Sequence, residues 1–180
     1  TELLNHKEEG DYIQDFVGPL GVATHLDGLK KVCIVGGGVG CAIAMPIAEA
    51  LYNMGADVTS IIGFRNKDLV ILEDEFKACS HKLKIVTDDG TYGEKGNVTM
   101  SLKEMLESGE KFDMIITREV SRFARNTVDS LTTIRLLKEN GTECYFEKEN
   151  IWTFDGKGEL LLTIMSSIAQ EEARSISENC

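Results

Sequence analysis

The 180-residue sequence has no run of about 18 consecutive apolar residues, which is the length that a membrane-spanning helix requires. Thr1–Gly10 is charged and has no apolar core of the kind found in secretory leaders. The sequence also does not begin with Met, so we expect it to be a piece of a longer protein. We therefore predict a cytoplasmic protein with no membrane partner.

An excess of basic residues is also lacking. The formal net charge is −11, with 11 Lys/Arg and 19 Asp/Glu in residues 1–117, and 8 and 11 in residues 118–180. DNA binding draws on lysines and arginines that displace counterions from phosphates. Neither part of the sequence predicts a broad DNA-binding surface, so any DNA affinity in the second part must be local or come from sequence outside this chain.

Cysteines occur five times but never as a C-x-x-C pair. Cys33 and Cys144 lie in apolar, strand-like runs. We expect buried free thiols in a reducing cytosol rather than metal ligands or disulfides, and we predict no metal site.

Apolar residues make up 42% of the sequence, which is enough for a packed core. Five apolar runs predict strands: Lys31–Val35, Val58–Ile62, Leu83–Val86, Phe112–Thr117 and Glu143–Glu147. Five helical patterns alternate with these strands. The first has an apolar face of Ala42, Ile43, Ile47, Ala48 and Leu51 and ends at Gly55, the second is Leu69–Cys79, and the third is capped by Thr99 or Ser101 and runs to Glu107. The fourth has Leu131, Ile134 and Leu137 on its buried face and ends near Asn140-Gly141, and the fifth is a long helix from Gly158 onward. This alternation predicts an α/β fold, with a mostly parallel sheet, helices on both faces and a long C-terminal helix.

Glycines cluster where the first predicted strand ends, at Gly36, Gly37, Gly38 and Gly40. Such a loop lets the backbone approach a phosphate, and the following helix offers free N–H groups and a positive dipole end. Ligands of parallel α/β sheets lie at this edge. The alternative is a glycine turn that serves only strand–helix packing.

Two features depart from the usual dinucleotide fingerprint. Cys41 stands where G-x-G-x-x-G would have its third glycine. The second strand ends in Gly63-Phe64-Arg65 rather than in an acidic ribose ligand, and an arginine suits a phosphate or stacking on adenine better than a free ribose diol.

Five motifs follow one another in the first part of the chain: Gly18-Pro19-Leu20-Gly21, Val35–Gly40, Ile62–Asp68, Glu73–Phe76, and Thr87–Gly93 with Gly96 and Val98-Thr99. Together they resemble the NAD(P)-binding lobe of the electron-transfer subunit of dihydroorotate dehydrogenase and of related ferredoxin:NADP reductase small subunits, over roughly residues 8–116. The resemblance implies hydride exchange between NAD(P)H and FAD, with electrons passed on through an iron–sulfur cluster.

The resemblance also implies roles for single residues. Gly18 and Gly21 would line the flavin side, and Gly36, Gly37, Gly38 and Gly40 would hold the dinucleotide phosphates. Arg65 would face the adenosine end, while Asp88, Asp89 and Gly90 would shape the pocket. An Asp-Gly pair is also ordinary turn chemistry, so a plain turn is the alternative for the last three.

Parts of that family are missing from the sequence. Of its FAD-binding barrel we expect only the last strand, around Tyr12–Val17, and the cysteine cluster of its iron–sulfur centre is absent. We therefore predict NAD(P) as a ligand and FAD only as a ligand whose own domain is missing. We predict no iron–sulfur cluster and no path for electrons.

A different chemistry begins with Ser121, Arg122 and Arg125. The two arginines are three residues apart, so at a helix start they lie on one face and can clamp one phosphate. The alternative is a solvated helix start with ordinary surface arginines.

Residues 112–180 resemble the catalytic domain of serine recombinases, particularly the large integrases. The motifs are Ser121–Asn126, Phe146–Ile151, Ile164–Glu172 and Ser175–Asn179. The resemblance implies that Arg122 and Arg125 contact a DNA phosphate, that Ser121 supports them, and that Glu172 is the family's acidic residue on the long helix. The family's nucleophilic serine lies in an N-terminal Tyr-x-Arg-Val-Ser strand that this sequence lacks, so we expect no strand cleavage.

The long helix carries a broad apolar stripe of Leu161, Ile164, Met165, Ile168, Ala169 and Ile176. In the recombinase family this helix pairs subunits, which predicts a homodimer. The alternative is that the stripe covers the sheet of its own chain.

The sequence therefore predicts a chimera joined within Phe112–Thr117, a strand that suits both families. We expect the end of a flavin-binding barrel in residues 1–28, an NAD(P)-binding lobe in 29–116 and a partial recombinase domain in 117–180. Three functions stay open: a nucleotide-binding remnant of an electron-transfer reductase, a recombinase fragment, and an inactive hybrid.

Overall fold

The computed structural model describes residues 2–15, 17–18, 20, 23–120 and 127–178, and all of their side chains except those of residues 2, 3, 172, 173 and 175–178. In this part of the chain one sheet forms in the order β4-β3-β2-β1-β5-β6-β7. Its strands are β1 (Lys31–Gly37), β2 (Asp57–Phe64), β3 (Lys82–Thr87), β4 (Glu94–Lys95), β5 (Met114–Thr117), β6 (Glu143–Phe146) and β7 (Ile151–Trp152). Neighbours pair in parallel except β6 and β7, which are antiparallel.

Helices cover both faces of this sheet. The described α-helices are α1 (Glu2–Asn5), α2 (Cys41–Asn53), α3 (Glu73–Ala78), α4 (Val98–Glu107), α5 (Thr127–Glu139) and α6 (Gly156–Glu178). One apolar cluster lies under α2 and α3, and the other under α4, α5 and α6. The predicted fold class is confirmed.

The central strand β1 shows why its sequence is a continuous apolar run. In β1, Val32 and Ile34 point into the cluster under α2, whereas Cys33 and Val35 point into the cluster under α4. Successive side chains of a strand alternate between faces, so a strand that is covered on both sides is apolar at every position.

The predicted join strand belongs to both parts of the sheet. β5 pairs with β1 through Val32–Met114 to Val35–Thr117, and with β6 on its other side. The Asp113 carboxylate accepts the backbone N–H groups of Lys30 at 2.8 Å and Lys31 at 2.9 Å, and these bonds lower its pKa. The sheet is therefore continuous across the predicted position of the join.

Two helices end at predicted glycines. Gly55 has φ +84°, and its N–H donates to the Tyr52 carbonyl while the N–H of Ala56 donates to Leu51. Gly141, with φ +70°, ends α5 in the same way. This is the Schellman ending, in which the left-handed residue is best supplied by glycine.

The cysteines are buried as expected. Cys33, Cys41, Cys79 and Cys144 are free thiols with little or no exposure, and Cys180 lies outside the described residues. Burial raises the pKa of Cys41 to about 12 and those of Cys33 and Cys144 well above the ordinary value. The described thiols are thus protonated and unreactive at neutral pH.

The buried face of α2 is rotated from the predicted one. It consists of Cys41, Ala44, Ala48 and Leu51. Ala42 is exposed, and Ile43 and Ile47 are only half-buried. Cys41, Ala44, Ala48 and Leu51 are three or four residues apart and therefore share one face of the helix, with Cys41 and Ala44 as the members that the apolar pattern missed.

The second predicted helix is much shorter than Leu69–Cys79. Leu69 ends a short 3-10 turn, and Leu72 has φ +59°, which breaks any continuous helix before Glu73. The acidic residues at the start of α3 favour a helix N-terminus at that point.

The cap of α4 is neither Thr99 nor Ser101. The side-chain oxygen of Asn97 accepts the N–H of Met100 at 2.9 Å and the hydroxyl of Thr99 at 2.6 Å. Asparagine is among the strongest N-cap residues, so the helix begins at Val98.

The predicted barrel strand at Tyr12–Val17 is not present among the described residues of that segment. Tyr12 and Val17 are largely exposed. The described sheet runs from β4 to β7 and does not include this segment.

The stripe of α6 divides into two sides. Met165 is buried, and Leu161 and Ala169 pack against the cluster under α5, whereas Ile164 and Ile168 are exposed. The helix thus covers its own sheet with one side only, and the homodimer stays a prediction. Of the helices in the described residues, none is long and apolar enough to cross a membrane.

Candidate functional site

The glycine loop, residues 36–40, joins β1 to α2 and is tightly packed on the side that faces Cys41. Gly36 and Gly37 end β1, a 3-10 turn follows over Gly38–Gly40, and α2 begins at Cys41. A Cβ atom on Gly36 would lie 3.0 Å from Cys41 Sγ and 3.2 Å from its Cα. Gly36 is therefore required for strand–helix packing, which is the alternative role considered above.

The outer side of the loop is open. A Cβ atom on Gly37 or Gly38 would have no neighbour within 4 Å, and no side chain caps the start of α2 at Gly40. The N–H of Cys41 donates to the carbonyls of Gly38 and Val39 in the 3-10 turn. The other N–H groups in the first turn of a helix lack partners within the helix, so this end can receive an anion. Gly36 thus serves the packing of the loop, while Gly37 and Gly38 border open space.

The loop lies at the point where the strand order reverses. β1 has β2 on one side and β5 on the other. The helices that follow β1 and β2, α2 and α3, cover one face of the sheet, whereas α4, which precedes β5, covers the other face. At such a point a crevice opens beyond the carboxyl ends of the strands. Here it is a cleft of about 660 Å³, bounded by the glycine loop, Gly63–Arg65, Asp88, residues 96–99 and Thr117–Glu119.

The floor of the cleft depends on Gly63. A Cβ atom there would lie 2.6 Å from Val98 Cγ1 and 3.2 Å from Val86 Cγ2. Without that atom the first turn of α4 packs directly on the end of β2. Arg65 comes directly after β2 and is an exposed residue of the cleft wall. Arg65, which the family resemblance places at the adenosine end of the ligand, therefore lines the cleft.

The Asp88-Asp89-Gly90 segment divides between cleft and turn. Asp88 lines the cleft, but Asp89 and Gly90 do not. Asp89 accepts the N–H of Thr91 at 2.9 Å and its hydroxyl at 2.7 Å, and these bonds lower the pKa of Asp89. Asp89 therefore holds the turn together, as the turn-chemistry alternative expected.

One wall of the cleft, formed by the end of β5 and the residues after it, was not predicted from the sequence. Thr117, Arg118 and Glu119 all line the cleft. Glu119 is buried and pairs with Lys148, while the N–H of Lys148 donates to the Arg118 carbonyl at 2.8 Å. The sequence indicated that the residues after each parallel strand lie at the same sheet edge, but it gave no signal that β5 is the neighbour of β1.

The remaining predicted site residues either do not line the cleft or lie outside the described residues. Gly18 is exposed and does not line it, and Gly21 lies outside the described residues. Ser121, Arg122 and Arg125 also lie outside them, and Glu172 is in α6 with its side chain not described. Across the described chain, no three His, Cys, Asp or Glu side chains gather as a metal site would require.

Part of the chain is similar to proteins named as electron-transfer subunits. The chain is 46% identical over 114 residues to a protein named "dihydroorotate dehydrogenase B (NAD(+)), electron transfer subunit homolog" from Thermotoga maritima, a match that covers 63% of this chain and 40% of that protein. A solved NADH-dependent reduced ferredoxin-NADP oxidoreductase, studied for flavin-based electron bifurcation, is 31% identical with a TM-score of 0.65, covering 81% of this chain and 50% of the other. The chain thus spans about two-fifths of the curated relative.

More than half of the chain, from residue 72 onward, matches another family. The sequence model described as "Resolvase, N terminal domain" matches residues 72–180. A resolvase family site-specific recombinase from Streptococcus pneumoniae has the same fold, with a TM-score of 0.51 at 18% identity, covering 83% of this chain and 92% of the other. The reductase and resolvase matches together exceed the length of the chain, so a segment of the α/β framework is matched by both.

The predicted resemblance to two families is therefore confirmed: part of the chain is similar to electron-transfer reductase subunits. By the match that covers more than half of its length, the chain belongs to the resolvase N-terminal domain family.

Proposed function

We propose that the chain binds an NAD(P)-type dinucleotide in the cleft at the carboxyl end of the sheet. The observation that carries this proposal is the open outer side of the glycine loop, which faces the cleft directly before the uncapped start of α2. In this arrangement the diphosphate lies against Gly37 and Gly38, where backbone N–H groups and the helix dipole stabilise negative charge. The similarity to proteins named as electron transfer subunits supports the same ligand class.

The direction of the dinucleotide follows from the cleft walls. Arg65 at the end of β2 places a guanidinium where an adenosine or its phosphate would lie. The nicotinamide half then extends toward Thr117 at the end of β5. FAD is the second ligand of this class that we consider, and Gly18 and Gly21 would be its contacts.

Isothermal titration of the whole chain with NADH, NADPH and FAD tests this proposal. We expect saturable binding of NADH or NADPH below about 1 mM, the range in which enzymes bind such ligands. Adenosine serves as the control ligand, because it lacks the diphosphate and should bind much more weakly. Failure of NADH, NADPH and FAD alike to bind at millimolar concentration would remove the proposal.

DNA binding is a second candidate, which the family match over residues 72–180 favours. We propose that Arg122 and Arg125 contact a DNA phosphate, supported by Ser121 and, further along the chain, by Glu172. The net charge of −11 opposes a broad interface, so the contact would be local and sensitive to salt.

A gel-shift titration at low salt tests this second candidate. Replacing Arg122 and Arg125 together by Ala should weaken DNA binding at least roughly tenfold, because two phosphate contacts are lost. Arg135→Ala is the matched control, since Arg135 donates to Ser166 Oγ at 2.9 Å within the α5–α6 contact. Equal DNA affinity of the double variant and the control would count against the site.

We also propose that the change of ancestry falls within β5, with residues 1–28 and 29–116 from a reductase-like parent and residues 117–180 from a recombinase-like parent. What supports this position is that β5 pairs with β1 on one side and β6 on the other. The segment matched by both families includes shared framework, which is why a junction in this strand leaves the sheet continuous.

A further inference from the structure

A dinucleotide carries two negative charges on its diphosphate, and the cleft has few cations to meet them. Among the described residues that line it, the cationic side chains are Arg65 and Arg118, with Asp88 and Glu119 as the acidic ones. Arg65 follows β2 and Arg118 follows β5, so they lie on opposite sides of the β1 glycine loop.

Arg118 is held close to that loop by the sheet. Thr117 is in register with Val35, and the Arg118 carbonyl accepts the N–H of Lys148 at 2.8 Å. Its side chain then runs along the loop, because Arg118 Cδ lies 4.0 Å from the position that a Cβ atom on Gly40 would occupy. The guanidinium, one bond further on, is therefore near the start of α2.

The charge of Arg118 is available to a ligand. Within the part of the chain that the structure describes, its half-buried side chain has no hydrogen bond and no ion pair. The adjacent Glu119 does not neutralise it, since Glu119 pairs with Lys148. A guanidinium presents five N–H donors and pairs well with phosphate oxygens, so an anion in the cleft would satisfy it.

We propose that Arg118 binds the diphosphate of the dinucleotide, from the side of the glycine loop opposite to Arg65. This inference rests on the proposed dinucleotide site and adds to it a residue from the C-terminal part of the chain. The site is then built by both parts: the loop and Arg65 come from the reductase-like part, and the second cation comes from the segment after β5.

The test compares Arg118→Gln and Arg118→Lys with the unmodified full-length chain, using NADH and adenosine as ligands. Arg118→Gln should raise the Kd for NADH about 10- to 100-fold, the usual effect of losing a charge-assisted hydrogen bond. Its Kd for adenosine should change less than about twofold, since adenosine has no phosphate. Arg118→Lys should recover part of the affinity, because a lysine keeps the charge but loses the fork of donors.

Arg135→Gln is the control, because Arg135 is an arginine of the same chain that lies away from the cleft. If the unmodified chain binds neither NADH nor NADPH, the proposed function fails and this inference fails with it. If NADH binds and Arg118→Gln leaves its Kd unchanged, only the inference is overturned. An equal loss of NADH and adenosine binding, or a lowered melting temperature, would also overturn it, since either indicates a general structural role.

Discussion

Gly37→Val should leave the protein folded and abolish most of its dinucleotide binding. Gly37 has φ −132° and ψ 125°, an extended conformation that valine prefers, and a Cβ atom there meets nothing within 4 Å. The added side chain projects into the space where we place the diphosphate. Because phosphate binding to such a loop requires a close approach of the backbone, we expect the Kd for NADH to rise roughly 10- to 100-fold.

Gly36→Ala is the matched contrast to Gly37→Val. Its Cβ atom would crowd Cys41 inside the packed strand–helix junction, so we expect a loss of about 1–2 kcal/mol in the free energy of unfolding. Thermal melting and NADH titration of both variants separate the two roles of the loop. A Gly37→Val protein that melts normally and binds NADH as tightly as the unmodified chain would contradict the proposed position of the diphosphate.

Gly158→Ala should be the more damaging of two similar substitutions in α6. A Cβ atom on Gly158 would lie 2.4 Å from the Trp152 carbonyl oxygen and 2.6 Å from Thr153 Cα, which are backbone atoms that cannot rotate away. Either β7 or the first turn of α6 must move, and we expect a loss of about 1–3 kcal/mol, the usual cost of overpacking. That corresponds to a melting temperature lower by roughly 2–12 °C in a chain of this size.

Gly156→Ala is the control for that prediction. It changes the same residue type two positions earlier in α6, but its Cβ atom would meet nothing within 4 Å. Alanine favours helix over glycine, so its stability should be equal or slightly higher. Equal melting temperatures for the Gly156 and Gly158 variants would contradict the packing of α6 against β7.

The strands of the sheet were predictable because both of its faces are covered. Continuous apolar runs marked β1, β2, β3, β5 and β6 to within a few residues. β4 and β7 have two residues each, which is too short for any periodic signal. Their positions follow from neighbouring turns rather than from their own residues.

Helix starts were less predictable than helix ends. Gly55 and Gly141 mark their ends because only a residue that tolerates a positive φ completes that turn. The start of α3 depends on the left-handed conformation of Leu72, and leucine gives no warning of it. Asn97 was a recognisable cap, but Thr99 and Ser101 offered competing hydroxyls within the same few residues.

The cleft was predictable on its glycine side and not on its far side. A glycine loop after an apolar strand indicates a phosphate site from local sequence alone. Arg118 comes from a strand that lies next to β1 in space but far from it in sequence, and strand order is not encoded in the apolar pattern.

Hydrogen–deuterium exchange of the full chain with and without saturating NADH tests the central claim, that one ligand is held by both parts of the chain. At short labelling times, which sample local opening, we expect slower exchange in residues 36–41 and 63–66 and, at the same time, in residues 117–119. Protection confined to the first two segments would contradict the claim that the C-terminal part completes the site. Protection of none of the three would contradict the cleft itself as the dinucleotide site.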